Sequence, residues 1–304
     1  MSDPTPERDA LEARTDLLAR LSPRLNETTR AWLEAQGALP LSELREVLPR
    51  TARTLGTKGL IAAFAERAGA SVEAVWGAVP IGAWTLSDAG SVLLVAQAVE
   101  REQDPYAALF ATYDAGGTEV KVACLRALNF VGPCAIGPGL ELIADAGRTY
   151  LPELLGAAWA GNPFSARFLS DHDYRKAVLK AFFCEVPVEG FLRLEERADA
   201  ELAKSLCDYV DERLAAGRTI PRPIWPLAAL HPRPGLVGRL IGMLEHPDAE
   251  ERITAARALA NAQDARALSF VRERRSRESE PTVQAVLEVA LETLSQLPQS
   301  EVSA

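Results

Sequence analysis

The chain has 304 residues, with 33 basic and 42 acidic side chains and a formal net charge of −9. This acidic balance argues against a nucleic-acid-binding platform, which carries a basic excess or stripe. Hydrophobic residues make up 48% of the chain, which excludes wholesale disorder. The four cysteines are widely spaced and there are three histidines, so we expect no metal site and no cofactor.

The N-terminal segment contains acids and lacks an apolar core, so it does not have the pattern of a secretory signal. The longest apolar run, residues 91–99, is too short to span a bilayer. We therefore expect a soluble cytoplasmic protein without membrane insertion. The sequence leaves its oligomeric state open.

Strong helix formers dominate the sequence, and alternating strand patterns are nearly absent, so we predict an all-α fold. Ser87 and Asp104 are expected to cap two of the helices, with Pro105 at the first helical position. The predicted helices, in chain order, are 6–20, 24–36, 41–54, 71–75, 87–101, 105–113, 120–130, one or two within 137–161, 171–184 and 199–216.

The C-terminal part of the chain has a different sequence pattern. Residues 218–235 contain five prolines and form either a domain linker or an ordered loop laid across helices, and Ile224, Trp225 and Leu227 favour the loop because they require burial. Residues 248–274 read as a helix pair split at 261–264, which is typical of HEAT-like repeats. We predict a helical domain at 1–230 with its core motifs at 147–225. HEAT-like repeats of stacked antiparallel helices, with the texture of an α-solenoid, follow at 231–297, and a frayed tail at 298–304.

Lys176 and Lys180 lie one turn apart on a predicted helix whose second half is almost wholly apolar. In one interpretation they form a narrow solvated stripe, with their stems along apolar surface. In the other they face a groove and bind an anion such as a phosphate or carboxylate.

Further polar residues lie in the same region. Asn162 precedes a proline in a turn, where it serves either loop geometry or ligand positioning. Tyr209 and Arg213 are neighbours on one helix, and Arg197 and Arg218 lie at predicted helix ends. An acid cluster on that helix is better explained by solvated charges than by a magnesium site. No catalytic pattern is present, so we assign no catalytic residue.

Residues 147–225 carry a run of short motifs. They are an N-P-[YF] turn, a V-L-K-A-L-F-like helix, L-x-x-R-x-N-x-E-L, D-Y-x-x-E-R-x-A-A-G-R and a following Trp. In this chain they fall on 162–164, 178–183, 194–202, 208–218 and Trp225. The combination resembles the EboA-domain family. The chain departs from the pattern at Asp199, where Asn is expected, and at 184–186, where a small turn is expected.

The resemblance implies a helical protein encoded beside a UbiA-like membrane prenyltransferase, a TatD-like hydrolase, a sugar-phosphate-isomerase-like barrel and a dehydroquinate-synthase-like enzyme. Such a cluster is linked to making or exporting a prenylated secondary metabolite. The resemblance supplies no mechanism for this chain. We expect an accessory protein that binds one of these enzymes or a pathway intermediate. The alternative is an enzyme, or a substrate-handling subunit, for an anionic isoprenoid or sugar phosphate.

Overall fold

A computed structural model describes residues 9–297. These residues are mainly helical, with one two-stranded hairpin, so the all-α prediction is confirmed. The chain divides into two compact units, Met1–Leu192 and Arg193–Ala304. This division falls inside the predicted 1–230 domain, and the domain assignment stays a prediction. The predicted tail at 298–304 lies outside the described residues.

The first unit contains most of the helices and the hairpin. Its elements are α1 (Ala10–Leu21), α2 (Glu27–Gly37), α3 (Leu41–Val47), α4 (Thr51–Leu55), α5 (Phe64–Arg67), β1 (Ser71–Ala74), β2 (Gly77–Pro80), α6 (Leu86–Val99), α7 (Pro105–Ala115), α8 (Thr118–Ala127), α9 (Ile136–Ala146), α10 (Pro152–Trp159), α11 (Pro163–Phe168) and α12 (Asp171–Phe183).

Helix α6 forms the centre of the first unit. Twelve of its fourteen residues are buried, because its sequence is apolar on all sides and it packs against α1, α2, α3, α4 and α8. It contains the whole apolar run, residues 91–99, that the sequence marks as too short for a membrane span. Burying one Leu or Val side chain in such a core contributes about 1.5–3 kcal/mol.

The predicted helix at 71–75 is wrong. Strands β1 and β2 pair there in an antiparallel hairpin, with Val72 opposite Val79 and Ala74 opposite Gly77. Val72, Ala74 and Val79 are buried, so one face of the hairpin packs on the core. Gly77 has a φ of +135°, which a glycine adopts readily after the tight turn.

One of the two predicted helix caps is confirmed and the other is wrong. Asp104 accepts a hydrogen bond from the Ala107 N–H at 3.0 Å and begins α7, as predicted. The predicted cap at Ser87 is wrong, because Thr85 begins α6 in a capping box with Asp88. The predicted helix 41–54 is split into α3 and α4 by a 3₁₀ turn that contains a proline, because proline removes a helical hydrogen bond.

The second unit contains seven helices among its described residues, 193–297. They are α13 (Leu194–Arg197), α14 (Ala200–Ala215), α15 (Ile224–Ala228), α16 (Leu236–Met243), α17 (Ala249–Ala262), α18 (Leu268–Arg277) and α19 (Pro281–Ser295). Helix α17 packs against α15, α16 and α19, and α18 packs against α19. The predicted helix pair is present as α17 and α18, and its assignment to a HEAT-like solenoid stays a prediction.

The proline-rich segment at 218–235 is ordered. It contains α15, and Ile224, Trp225 and Leu227 are buried. This burial favours the ordered loop over the linker among the two interpretations of the sequence. The Asn261 Nδ2 donates to the Pro226 carbonyl at 3.0 Å, which ties the segment to α17.

Candidate functional site

A cleft of about 620 Å³ opens in the first unit. Its walls come from three parts of the chain that are far apart in sequence. The lining residues are Arg67, Ala68, Pro80, Gly82, Ala83, Trp84, Arg126, Asn129, Gly156, Ala157, Ala160, Gly161 and Asn162. The cleft is therefore a product of the tertiary fold, not of one motif.

One wall is the end of α10 and the turn that leads into α11. It presents Gly156, Ala157, Ala160 and Gly161, which have little or no side chain. Gly161 has a φ of +60°, and a Cβ there would lie 2.8 Å from the Pro80 ring. The turn thus requires glycine both for its backbone conformation and for its close approach to the end of β2.

Asn162 closes this turn. Its side chain is almost fully buried and donates from Nδ2 to the Ala157 carbonyl at 2.9 Å. Its Oδ1 accepts from the Ser165 N–H at 3.2 Å and so caps α11. The residue lines the cleft, but its amide group serves the backbone.

Asn129 is the buried amide on another side of the cleft, and its sequence context did not single it out. Its Oδ1 accepts from the Phe164 N–H at 2.9 Å, and its Nδ2 donates to the Arg126 carbonyl at 3.1 Å. Its own carbonyl accepts from the Val75 N–H at 2.9 Å. Asn129 thereby joins the end of α8 to α11 and to the hairpin. Its position just after an apolar helix, before Gly-Pro, was the available sequence signal.

Arg126 is the half-buried cation of the cleft, and no sequence motif singled it out. Its Nη1 donates to Asp88 Oδ1 at 2.6 Å. Its guanidinium carbon lies 5.4 Å from the centre of the Trp84 ring, in a cation–π contact. Asp88 Oδ2 accepts from the Thr85 N–H at 2.8 Å in the capping box of α6. The side chain of Arg126 is therefore fixed from two directions.

Arg67 is the second cation of the cleft and lies at the end of α5. Its Nε donates to the Ile61 carbonyl at 3.2 Å, and its guanidinium carbon lies 5.8 Å from the centre of the Phe64 ring. The backbone of Arg67 packs tightly on Gly82, where a Cβ would lie 2.0 Å from the Arg67 carbonyl oxygen. This contact holds the α5 segment at the rim of the cleft.

The two lysines on α12 do not line the cleft. Lys180 Nζ donates to the Gly147 carbonyl at 2.7 Å and lies 4.3 Å from the centre of the Tyr150 ring. A cation at the carbonyl end of α9 is favourable, because the helix dipole is negative there. Lys176 is exposed. Lys180 thus has a structural function that neither sequence interpretation contained.

The remaining predicted residues belong to the second unit. Arg213 Nη1 donates to the Tyr209 hydroxyl at 3.0 Å, and Arg213 Nε donates to the Thr219 carbonyl at 2.6 Å. Tyr209 is buried, whereas Arg197 is half-buried and Arg218 is exposed. Arg213 therefore ties the end of α14 to the segment that follows it. Ligand binding at these residues stays a prediction.

Two titratable groups in the core have strongly raised pKa values. Burial raises the pKa of the Cys124 thiol to about 12. Burial, followed by the nearby Asp145 carboxylate, raises the pKa of the Tyr113 hydroxyl. Both groups are protonated at neutral pH, and neither lines the cleft.

Metal sites and membrane-spanning helices are two other features considered for residues 9–297. Within residues 9–297, no group of three or more His, Cys, Asp or Glu side chains has an arrangement that could hold a metal ion. In the same part of the chain, every helix is too short or too polar to cross a membrane.

Comparison with known protein families gives a match over most of the first unit. A family model described as "Metabolite traffic protein EboA" matches residues 15–229, which is more than half of the chain and includes the whole cleft lining. The resemblance drawn from residues 147–225 is confirmed. Comparisons with curated proteins and with solved structures found no match.

Proposed function

The chain belongs to the EboA family of metabolite traffic proteins, and from this membership we propose that it binds a small metabolite in the cleft and hands it on chemically unchanged. A traffic protein needs a site that holds its cargo reversibly, without a covalent step. The cleft in the first unit fits this requirement.

The observation that carries the proposal is the shape and position of the cleft. Its volume of about 620 Å³ lies within the range of about 300–1,000 Å³ that small-molecule sites occupy. Its lining is mostly apolar, with a few polar groups whose positions are fixed by hydrogen bonds. Asn162, the first residue of the turn at 162–164 that is one of the family motifs, forms part of its wall.

The proposal extends to a pathway. The ligand would be an intermediate or product of a prenylated secondary-metabolite pathway. It would be supplied or received by enzymes of the kinds encoded beside the family: the prenyltransferase, the TatD-like hydrolase or the isomerase-like barrel. The second unit, with its stacked helices, would offer the surface for such a partner.

Gly156 provides a direct test of the cleft. A Cβ added at this helical glycine meets no other atom within 4 Å, so a side chain can begin there without a clash, and Gly156→Leu is designed to occupy part of the cleft. Gly238 is a matched control, because it also lies within a helix and a Cβ there also meets nothing within 4 Å, but it does not line the cleft. Each purified protein is dialysed to equilibrium against a metabolite extract, and retained compounds are identified by mass spectrometry.

We expect the unmodified protein and Gly238→Leu to retain the same compound and Gly156→Leu to lose it. Gly156→Leu should keep its helical circular dichroism, since leucine favours helix over glycine by up to about 1 kcal/mol. Retention of the compound by Gly156→Leu would contradict the cleft as the site. If no compound is retained by any of the three proteins, the proposed function is wrong.

A further inference from the structure

The charges around the cleft are opposite in sign to those of the whole chain. The chain has nine more acidic than basic side chains. Among the thirteen lining residues there are two arginines and no acidic residue. A ligand in the cleft therefore meets positive charge, although the protein as a whole repels anions.

The guanidinium of Arg126 has N–H donors that no described residue uses. A guanidinium carries five N–H donors, and within residues 9–297 its one hydrogen bond is the bond from Nη1 to Asp88. Asp88 does not line the cleft and uses its other oxygen in the capping box of α6. It therefore orients Arg126 from the side away from the cleft and offsets part of its charge. The other guanidinium donors stay open to a ligand.

Arg67 adds a second cation to the lining. Its Nε is bonded to a backbone carbonyl, and its two terminal nitrogens have no hydrogen bond or ion pair to the described part of the chain. Planar guanidinium groups bind carboxylate and phosphate oxygens through two parallel hydrogen bonds. The two guanidinium groups of the cleft together carry more positive charge than the one carboxylate of Asp88 offsets.

The side-chain amides of the cleft do not form a site for a cationic ligand. The side-chain oxygens of Asn129 and Asn162 each accept a hydrogen bond from a backbone N–H. The rest of the lining is Trp84, Pro80 and small residues. These surfaces suit the apolar body of a ligand, not a second charged group.

We propose that the cleft binds an organic anion, with its carboxylate or phosphate on Arg126 and Arg67 and its apolar part against Trp84 and the α10 wall. This inference rests on the proposed function, because it assumes that the cleft is the binding site. It identifies the anion-binding residues as two arginines that lie outside the predicted set of Lys176, Lys180, Arg197, Arg213 and Arg218.

The test uses matched probes of defined chemistry. Isothermal titration calorimetry on the full chain compares phenyl phosphate with phenol, benzoate with benzamide, and inorganic phosphate alone. We expect each aromatic anion to bind at least about tenfold more tightly than its neutral partner, because charge-assisted hydrogen bonds are roughly twice as strong as neutral ones. The comparison between the two anions then identifies the preferred head group.

Substitutions test whether the two arginines cause the tighter binding of the charged probes. Arg126→Gln and Arg67→Gln should each weaken anion binding by about tenfold or more, since each removes one fork of charged donors. Arg53→Gln removes the same charge from an exposed residue that does not line the cleft and should leave the affinity within about twofold, because salt screens exposed charges. Arg67 is exposed, so its variant remains informative even if Arg126→Gln folds poorly.

Three outcomes would overturn the inference, and they bear differently on the proposed function. If neutral and charged probes bind equally and the arginine variants behave like the unmodified protein, the cleft binds ligands but not through charge. If Arg53→Gln weakens anion binding as much as the other two variants, the effect is one of general charge. If no probe binds, the anion class is wrong, and the dialysis result with Gly156→Leu decides the proposed function independently.

Discussion

The cleft in the first unit and a buried ion cluster in the second both contain two arginines, but they use them in opposite ways. In the second unit, Arg252 and Arg274 enclose the carboxylate of Glu278, whose side chain is only 1% exposed. In the cleft, Arg126 and Arg67 keep donors that no described residue uses. The same residue type thus stabilises the fold in one place and stays open to solvent in the other.

The difference lies in how completely the charges are matched. Glu278 accepts four hydrogen bonds from the two guanidinium groups, at 2.7–3.1 Å, and two from backbone N–H groups, at 3.0 Å. Arg252 also donates to the carbonyls of His246 and Pro247. A buried cluster must be satisfied in this way, because unpaired buried charges are costly. A cleft open to water has no such requirement.

Removing Glu278, the centre of the buried ion cluster, has the largest expected effect. Glu278→Ala leaves Arg252 buried without its counter-charge, and we expect the free energy of unfolding to fall by about 3–5 kcal/mol. Chemical denaturation of the purified protein measures this change. Glu288→Ala is the control, because Glu288 pairs with Arg275 at the surface, with 55% of its side chain exposed, and such pairs contribute about 0–1 kcal/mol. Equal losses in the two variants would contradict the closed cluster.

The same cluster predicts a dependence on pH. Burial raises the pKa of Glu278, but the hydrogen bonds from Arg252, the Glu280 N–H and Arg274 outweigh it and lower the pKa from its ordinary 4.5 to about 2. Because the pKa is lower in the folded state, the stabilisation is present above about pH 4.5 and is lost as the pH falls toward 2. A shift of this size corresponds to about 3 kcal/mol.

The measurement compares the unmodified protein with Glu278→Gln. The difference between their free energies of unfolding should be constant above about pH 5 and shrink by about 3 kcal/mol toward pH 2, since other carboxylates titrate alike in both proteins. A difference that does not change over this range would show that Glu278 has an ordinary pKa.

The smallest stability effect is expected in the cleft. Arg126→Gln removes a pair in which both side chains are 28% exposed, and we expect the free energy of unfolding to fall by at most about 1 kcal/mol. Denaturation under the same conditions as for Glu278→Ala measures it. A loss comparable to that of Glu278→Ala would place Arg126 among the structural arginines and remove the contrast between the two regions.

Local chemistry accounts for what the sequence could predict. The Asp104–Pro105 start of α7 follows from capping and from the fixed φ of proline, both of which act within one turn. Helix composition likewise predicts the all-α class. The hairpin at 71–80 was missed because its strands are four residues each, too short for alternation to compete with helix formers. The cap of α6 was misplaced by two residues, although Thr85 and Asp88 form a readable capping box.

The cleft required tertiary information. Asn162 was identified because its turn is local, but Arg67 and Arg126 come from segments that only the fold brings together with it. Lys180 is the converse case, because the tertiary structure adds a contact to a residue that the sequence had singled out. Its charge pattern indicated a stripe or an anion site, whereas its partner is the carbonyl of Gly147, a group that no side-chain pattern reveals.

The burial of α6 has a consequence for the synthesis of the chain. Its apolar surface is covered by α1 to α4, which precede it, and by α8, which follows. A nascent chain that has reached about residue 100 therefore holds an apolar helix with one side still uncovered, and this side stays open until α8 leaves the ribosome. Exposed apolar surface in partly made chains promotes aggregation. Ribosome pausing or truncation between α6 and α8 should therefore yield chains that require chaperones.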